Sequence, residues 1–120
     1  MRKLTILLIS LMTTNIFAND FFFEGVMMPT ESYKKVAWIN KGCISCMAIN
    51  VLSYVKIPKD SGPSYIGTPG SKVCTSLPDT KVAIFKSKAG EQGFCVFKDS
   101  SYIDTGGLFY FARENTMKEK

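Results

Sequence analysis

The chain contains no histidine. Histidine is the side chain that most often works as a general base near neutral pH, and it activates serine and cysteine nucleophiles. Its absence excludes Ser-His and Cys-His catalytic pairs as well as His-rich zinc sites. The carboxylates show no catalytic signature either, because Asp99 and Asp104 stand near predicted turns, where acids cap or solvate the backbone. Nothing in the sequence indicates a nucleophile with its base.

Long runs of one charge, internal repeats and low-complexity tracts are also lacking. The 120 residues include 15 Lys+Arg and 10 Asp+Glu, which gives a formal net charge of +5. The lysines are scattered along the chain, a distribution that favours a mixed soluble surface. We therefore expect no nucleic-acid partner, and an anionic envelope polymer is a weaker alternative.

The first residues have the pattern of a signal peptide. Arg2 and Lys3 form a positive start, and a mostly apolar segment leads to a small residue, Ala18, after which cleavage is expected. A membrane anchor is the alternative, but a bilayer span needs about 20 predominantly apolar residues. The sequence thus predicts a signal peptide over residues 1–18, one small domain over residues 19–120, no transmembrane anchor, and export to the periplasm or the extracellular space.

Four cysteines are present: Cys43, Cys46, Cys74 and Cys95. In an exported chain they predict two disulfides with three possible pairings, and close spacing favours Cys43–Cys46 together with Cys74–Cys95. The loop between Cys74 and Cys95 would then stabilise the fold by about 3 kcal/mol. A zinc site built from all four is less favoured because only one Cys-x-x-Cys occurs. No metal or cofactor is expected.

The N-terminal half has ambiguous local patterns. The apolar residues 21–28 predict a first strand or extended core segment, with an exposed aromatic patch as the alternative. Thr30 has the features of a helix N-cap and Gly42 those of a helix stop, although residues 34–40 fit a strand equally well. Residues 47–55 favour a helix.

The C-terminal half, residues 69–113, is predicted to be β-rich. Residues 81–86 and 94–98 have strand composition and flank a Gly-containing turn at 87–93. Residues 108–112 fit either a third long strand or a short closing helix. The Gly- and Pro-rich residues 60–70 predict a loop. The expected fold class is α+β: a small single domain with an N-terminal helical region followed by an antiparallel β meander, stabilised by disulfides.

Two segments carry a family resemblance. Thr-Pro-Gly-Ser-Lys-Val-Cys (68–74) and Gly-Phe-Cys-Val-Phe-Lys-Asp-Ser-Ser (93–101) resemble the small hemolysin-like domain of unknown function found in exported bacterial proteins. Gly70 replaces an alanine of that pattern, Ser100 replaces a glycine, and the family's tryptophan and terminal cysteines are absent. The resemblance implies a secreted, disulfide-linked β domain without a recognised active site.

The Cys-x-x-Cys segment has a second interpretation. Residues 35–49 faintly look like the strand, Cys-x-x-Cys and helix start of thioredoxin-like proteins. There Cys43 would be the nucleophile and Cys46 the resolving thiol, since a helix N-terminus lowers the pKa of a thiol. Lys41-Gly42 stands where that family has an aromatic residue, and a structural disulfide is the alternative.

The sequence therefore predicts a non-enzymatic exported protein that binds an envelope component or another protein. The expected binding surface combines the loop at residues 60–70 with the turn at residues 87–93. The alternative function is a thiol-disulfide oxidoreductase that uses Cys43 and Cys46. A membrane-active protein is a third possibility, and it requires Phe21–Phe23 to be exposed.

Overall fold

The computed structural model of the chain describes residues 20–59 and 68–118. The predicted signal peptide at residues 1–18 and most of the predicted loop at residues 60–70 lie outside the described residues, so neither prediction is tested by the fold.

Within the described residues, seven short strands form one sheet in which every pairing is antiparallel. The strands are β1 (Phe21–Phe23), β2 (Val26–Met28), β3 (Thr30–Tyr33), β4 (Ala37–Asn40), β5 (Lys81–Ser87), β6 (Gly90–Val96) and β7 (Tyr102–Asp104). Their order across the sheet is β2-β1-β5-β6-β7-β4-β3. The helices are α1 (Met47–Asn50), continued by a 3₁₀ turn (Val51–Ser53), then α2 (Pro69–Thr75) and α3 (Thr105–Lys118).

The sheet curls almost into a barrel, and its connectivity shows why. Strands β2 and β3 form its two opposite edges, yet one residue, Pro29, joins them. Consecutive Cα atoms are about 3.8 Å apart, so the two edges have to come close together. Hydrogen bonds hold this junction, because the Pro29 carbonyl accepts from the Lys41 N–H (3.1 Å) and from the Tyr102 hydroxyl (2.7 Å).

The predicted N-terminal helical region is wrong. The described chain from Phe21 to Asn40 forms two β-hairpins, and Thr30, the predicted N-cap, is the first residue of β3 and pairs with Asn40. Burial explains the difference: Ala37 and Ile39 are buried on one face of β4 and Trp38 packs on the other, a period of two. In the C-terminal half, β5, β6 and β7 pair antiparallel in chain order, and β1 and β4 from the N-terminal half flank them in the same sheet.

Alternation along the strands creates a separate core on each face of the sheet. The concave face is filled by an aromatic-rich cluster: Phe21, Ala83, Phe85, Phe94 and Tyr102, with Phe23, Met28, Trp38 and Val96 against it. Phe85 and Phe94 stack at 4.2 Å between ring centroids. The convex face carries the helices, whose apolar residues pack on Ile39, Cys95 and Ile103. Because the interior is packed with side chains, any ligand has to bind outside the sheet.

Helix α3 closes the fold. Residues 108–112, which fitted either a strand or a helix, lie in its first half, and the charged residues that follow remain helical to Lys118. Leu108 and Ala112 are four residues apart and fully buried, so one helical face packs on the sheet. No helix among residues 20–59 and 68–118 is long and apolar enough to cross a membrane.

Both cysteine pairs lie at disulfide distance, which confirms that the protein has disulfide bonds. Cys43 is joined to Cys46 with 5.5 Å between their Cα atoms, and Cys74 is joined to Cys95 with 5.6 Å. The second disulfide links α2 to β6 and is fully buried. It therefore ties a helix of the convex face to the centre of the sheet.

Candidate functional site

A cleft of about 390 Å³ lies where the first turns of α2 and α3 meet the β5–β6 hairpin. It is the part of the described chain that corresponds to the predicted binding surface. Thr68 and Pro69 come from the predicted loop, and Glu91 and Gln92 come from the predicted turn. That turn is shorter than predicted, because β5 runs to Ser87 and β6 begins at Gly90.

The α2 wall of the cleft is a helix that the loop prediction missed. The Oγ1 of Thr68 caps it by accepting from the Ser71 N–H (3.1 Å), and Pro69 occupies its first position. A threonine N-cap followed by proline is a helix-start signal that was present in the sequence. The surrounding Gly and Pro residues, which are typical of loops, obscured it.

Two glycines bring the walls of the cleft together at Thr105, the first residue of α3. A Cβ on Gly70 would collide with the Thr105 backbone carbonyl, and a Cβ on Gly93 would lie 3.2 Å from its Oγ1. Only glycine allows α2 to approach α3 this closely. Because backbone meets backbone here, α2, β6 and α3 hold the cleft in a fixed shape.

The cleft has apolar and polar parts. Ile84 points outward from β5 and is 48% exposed, and the half-buried Phe109 lies on α3. Ser71, Glu91 and Gln92 supply hydroxyl, carboxylate and amide groups. Apolar side chains combined with a few polar groups suit a ligand that has an apolar part and a few hydrogen-bonding groups.

Asp104 occupies the N-terminus of α3 behind the cleft. Its Oδ1 accepts from the Trp38 N–H (2.7 Å) and its Oδ2 from the Gly107 N–H (2.9 Å). Burial raises the pKa of this carboxyl above its ordinary value, although both N–H donors favour the charged form. Asp104 therefore already meets the positive end of the α3 dipole.

The Cys43–Cys46 disulfide lies at the start of α1, on a different part of the surface. Cys43 is buried and Cys46 is half-buried, while Ile44 between them is 87% exposed. The N–H of Met47 donates to the Asp99 Oδ2 (2.9 Å), so a carboxylate caps the helix start. A negative charge at this place opposes formation of a thiolate. The geometry thus lacks the exposed, electropositive nucleophile that the redox interpretation assigned to Cys43.

Asp99 is held in place by its own turn. Burial raises its pKa somewhat, but the Ser101 hydroxyl and the backbone N–H groups of Met47 and Ser101 stabilise the carboxylate, so its pKa lies below the ordinary value. Ser101 is buried, and its Oγ accepts in turn from the Ala48 N–H (3.0 Å). The side chains of Asp99 and Ser101, both distant in sequence, thereby accept from the first N–H groups of α1. The N-cap residue, Cys46, supplies no side-chain acceptor for these groups.

The residues that carry the family resemblance have structural positions in this fold. Cys74 and Cys95 form the buried disulfide, Phe97 is buried, and Asp99 caps α1. Ser100, which stands where the pattern has glycine, has a φ of 74°. A positive φ is accessible to glycine without steric cost, so a glycine at this position would fit the backbone of the turn.

Two alternatives that the sequence left open, an exposed aromatic patch and a metal site, have no support in the geometry of the described residues. Of the residues Phe21–Phe23, Phe21 is buried, Phe23 is half-buried and Phe22 is exposed, so the three rings do not form one outward patch. Among the described residues, no group of three or more Cys, Asp and Glu side chains is placed to hold a metal ion.

Comparison with protein-family models, curated proteins and solved structures found no match for this chain.

Proposed function

We propose that the chain is an exported, disulfide-stabilised protein that binds an envelope component or another protein and does not catalyse a reaction. The observation that carries this proposal is the cleft at α2, α3 and the β5–β6 hairpin, with its exposed Ile84 and its hydroxyl, carboxylate and amide groups. The predicted signal peptide and the two disulfides support export, because disulfides persist in oxidising compartments.

The exposed apolar surface extends from the cleft onto β1. Phe22 lies opposite Lys86 in the sheet, and Ile84 is two residues from Lys86 on the same face of β5. Phe22 and Ile84 are therefore diagonal neighbours on the outer face. A partner seated in the cleft would cover Ile84 and would find Phe22 beside it, a central apolar contact with polar groups around it.

The test is site-specific photo-crosslinking in the producing cell. A photoreactive phenylalanine analogue replaces Ile84 in one variant and Ile44 in the control, since Ile44 is an exposed isoleucine far from the cleft in sequence. We expect a discrete light-dependent adduct from position 84 and none from position 44. Equal labelling at both positions, or none at position 84, would contradict the assignment of the cleft. N-terminal sequencing of the same sample tests export, and the expected first residue is Asn19.

A thiol-disulfide oxidoreductase function is less favoured by the geometry. Cys43 is buried, and the Asp99 carboxylate stands at the helix start where a thiolate would form. The relationship to the hemolysin-like domain is likewise a proposal, supported by the disulfide and by the positive φ of Ser100.

A further inference from the structure

A second, larger groove of about 630 Å³ lies between α3, the α1 segment and the β3–β4 turn. The α3 wall presents residues spaced four apart, which places Tyr110, Glu114 and Lys118 on one side of the helix. Tyr33 and Lys34 contribute from the hairpin. The groove thus combines aromatic rings, two cations and a carboxylate.

The floor of this groove is preorganised. The Nδ2 of Asn115 donates to the carbonyls of Leu52 and Val55, both at 2.9 Å, and so binds α3 to the segment after α1. The Phe111 ring lies 6.0 Å from the Tyr33 ring, which joins α3 to β3. Contacts of this kind set the spacing of the walls before any ligand arrives, which lowers the entropic cost of binding.

The β3–β4 turn, which brings Lys34 to the groove, has an unusual backbone conformation. The Val36 N–H donates to the Tyr33 carbonyl (3.2 Å), and the two central residues, Lys34 and Lys35, have φ values of 52° and 64°. This is a type I′ turn, for which Asn-Gly is strongly preferred because both central residues need a positive φ. Two lysines in this conformation are strained, and strain of this kind clusters at functional sites.

We propose that this groove binds an acidic glycan. Tyr110 is 36% exposed, and the Arg113 guanidinium lies over one face of its ring, 5.9 Å from the ring centroid, so the apolar face of a sugar stacks on the other face. The ammonium groups of Lys34 and Lys118 pair with a ligand carboxylate or sulfate, while Glu114 accepts hydrogen bonds from sugar hydroxyls. The site lies apart from the cleft and does not depend on the cleft's function.

The carboxylate distinguishes a glycan from a single-stranded nucleic acid. Nucleobases also stack on aromatic rings beside lysines. The backbone of single-stranded DNA, however, has no hydroxyl along its length to donate to Glu114. Sugar rings provide hydroxyl donors at every residue, and an acidic sugar adds the anion that the lysines require.

Binding is measured by isothermal titration calorimetry with three acidic probes: tetragalacturonate, tetramannuronate and a heparin tetrasaccharide. Neutral chitotetraose and a thymidine tetranucleotide serve as comparison ligands. We expect at least one acidic probe to bind at least tenfold more tightly than either comparison ligand. Failure of all three acidic probes to bind at millimolar concentration overturns the proposal, as does preferential binding of the tetranucleotide. Neither result bears on crosslinking at Ile84, so this failure is distinguishable from that of the cleft.

The variant Lys34→Asn tests whether the lysine charge contributes to binding, and the substitution itself should stabilise the fold. Asparagine tolerates the positive φ of the turn, so we expect the thermal midpoint to rise by a few degrees while affinity for the acidic probe falls at least tenfold. Lys35→Gly removes the same charge from the same turn, but Lys35 does not line the groove. It should stabilise the protein similarly and weaken binding less than threefold. Unchanged affinity in Lys34→Asn, or equal losses in both variants, overturns the proposal.

The stacking contact is tested with Tyr110→Leu, and Tyr54→Leu is the control because Tyr54 is exposed and lies outside the groove. We expect Tyr110→Leu to lose at least fivefold in affinity for the acidic probe and Tyr54→Leu to bind as the unchanged protein does. Retained affinity in Tyr110→Leu overturns the assignment of the ring.

Discussion

Replacement of Asp104 by alanine tests a buried carboxylate that joins two elements of the fold. Strands β4 and β7 share one backbone register pair, Ile39 with Ile103, and side chains extend the pairing on both sides of it. The Trp38 N–H donates to the Asp104 carboxylate, and the Tyr102 N–H donates to the Asn40 side-chain oxygen. Asp104 therefore holds a strand of the sheet and caps α3 at the same time.

The magnitude follows from the groups that the substitution leaves unpaired. In Asp104→Ala, the N–H groups of Trp38 and Gly107 lose their acceptor, and each buried unsatisfied donor costs about 1–3 kcal/mol. We therefore expect the free energy of unfolding to fall by about 2–6 kcal/mol. Asp104→Asn keeps one acceptor oxygen and should lose roughly half as much.

Urea denaturation measures these differences, and Asp99→Ala is the matched control. Asp99 also accepts from two backbone N–H groups, those of Met47 and Ser101, but it is exposed and water can replace it. Its loss should cost about 1 kcal/mol, as for an ordinary helix cap. Equal losses in Asp104→Ala and Asp99→Ala would refute the argument, because burial would then play no part.

The burial of Asp104 also predicts how the free energy of unfolding depends on pH. Burial raises its pKa in the folded protein, so between the ordinary carboxyl pKa and the raised value the folded state binds more protons than the unfolded state. The free energy of unfolding contributed by this group then falls as pH rises through that window. The difference between the unchanged protein and Asp104→Asn in urea denaturation should show this fall. A difference that rises with pH would contradict the direction of the shift.

Two further predictions concern the disulfides and the turn before β7. Replacing Cys74 and Cys95 by alanine should lower the free energy of unfolding by about 3 kcal/mol. Replacing Cys43 and Cys46 by alanine should lower it by about 2 kcal/mol, because that disulfide closes a shorter loop. Calorimetry measures both losses, and the reverse ranking would contradict the loop-entropy argument. Ser100→Gly should raise the urea midpoint, because glycine removes the steric cost of the positive φ, which is about 1 kcal/mol for serine. Ser101→Gly should lower the urea midpoint, because it removes the acceptor of the Ala48 N–H. A loss of stability in Ser100→Gly would show that the turn is not strained.

The β5–β6 hairpin could be predicted because its signals are local, whereas the rest of the predicted β-rich segment at residues 69–113 includes α2 and most of α3. Residues 81–86 alternate in burial within β5, and the adjacent β6 is reached by a short turn. The N-terminal half could not be predicted in the same way. Threonine is a good helix N-cap, and Thr30 therefore predicted a helix start. The segment is short, however, and its pairing with β4 outweighs this local preference. Burial of Ile39 and Ala37 against helices far along the chain decided the strand.

The candidate sites were predictable in part. Some described residues of the two segments that the sequence predicts as a binding surface, Thr68 and Glu91 among them, line the cleft. The sequence could not reveal Ile84 and Phe109 as their neighbours, because β5 and α3 are distant from α2 in sequence and come beside it only when the chain folds, as at the close approach of Gly70 to Thr105. The groove at Lys34 was missed entirely, since its walls come from three segments that are distant in sequence.

Composition by itself excluded histidine-dependent catalysis, because the chain has no histidine. Local pattern by itself indicated the strands of the β5–β6 hairpin, because strand formation there depends on short-range periodicity. The tertiary structure alone decided the closure of the sheet at Pro29, the insertion of β1 beside β5, and the capping of α1 by Asp99. Each of these joins residues far apart in the chain, and their free energy comes from burial and hydrogen bonds that exist only once the sheet has closed.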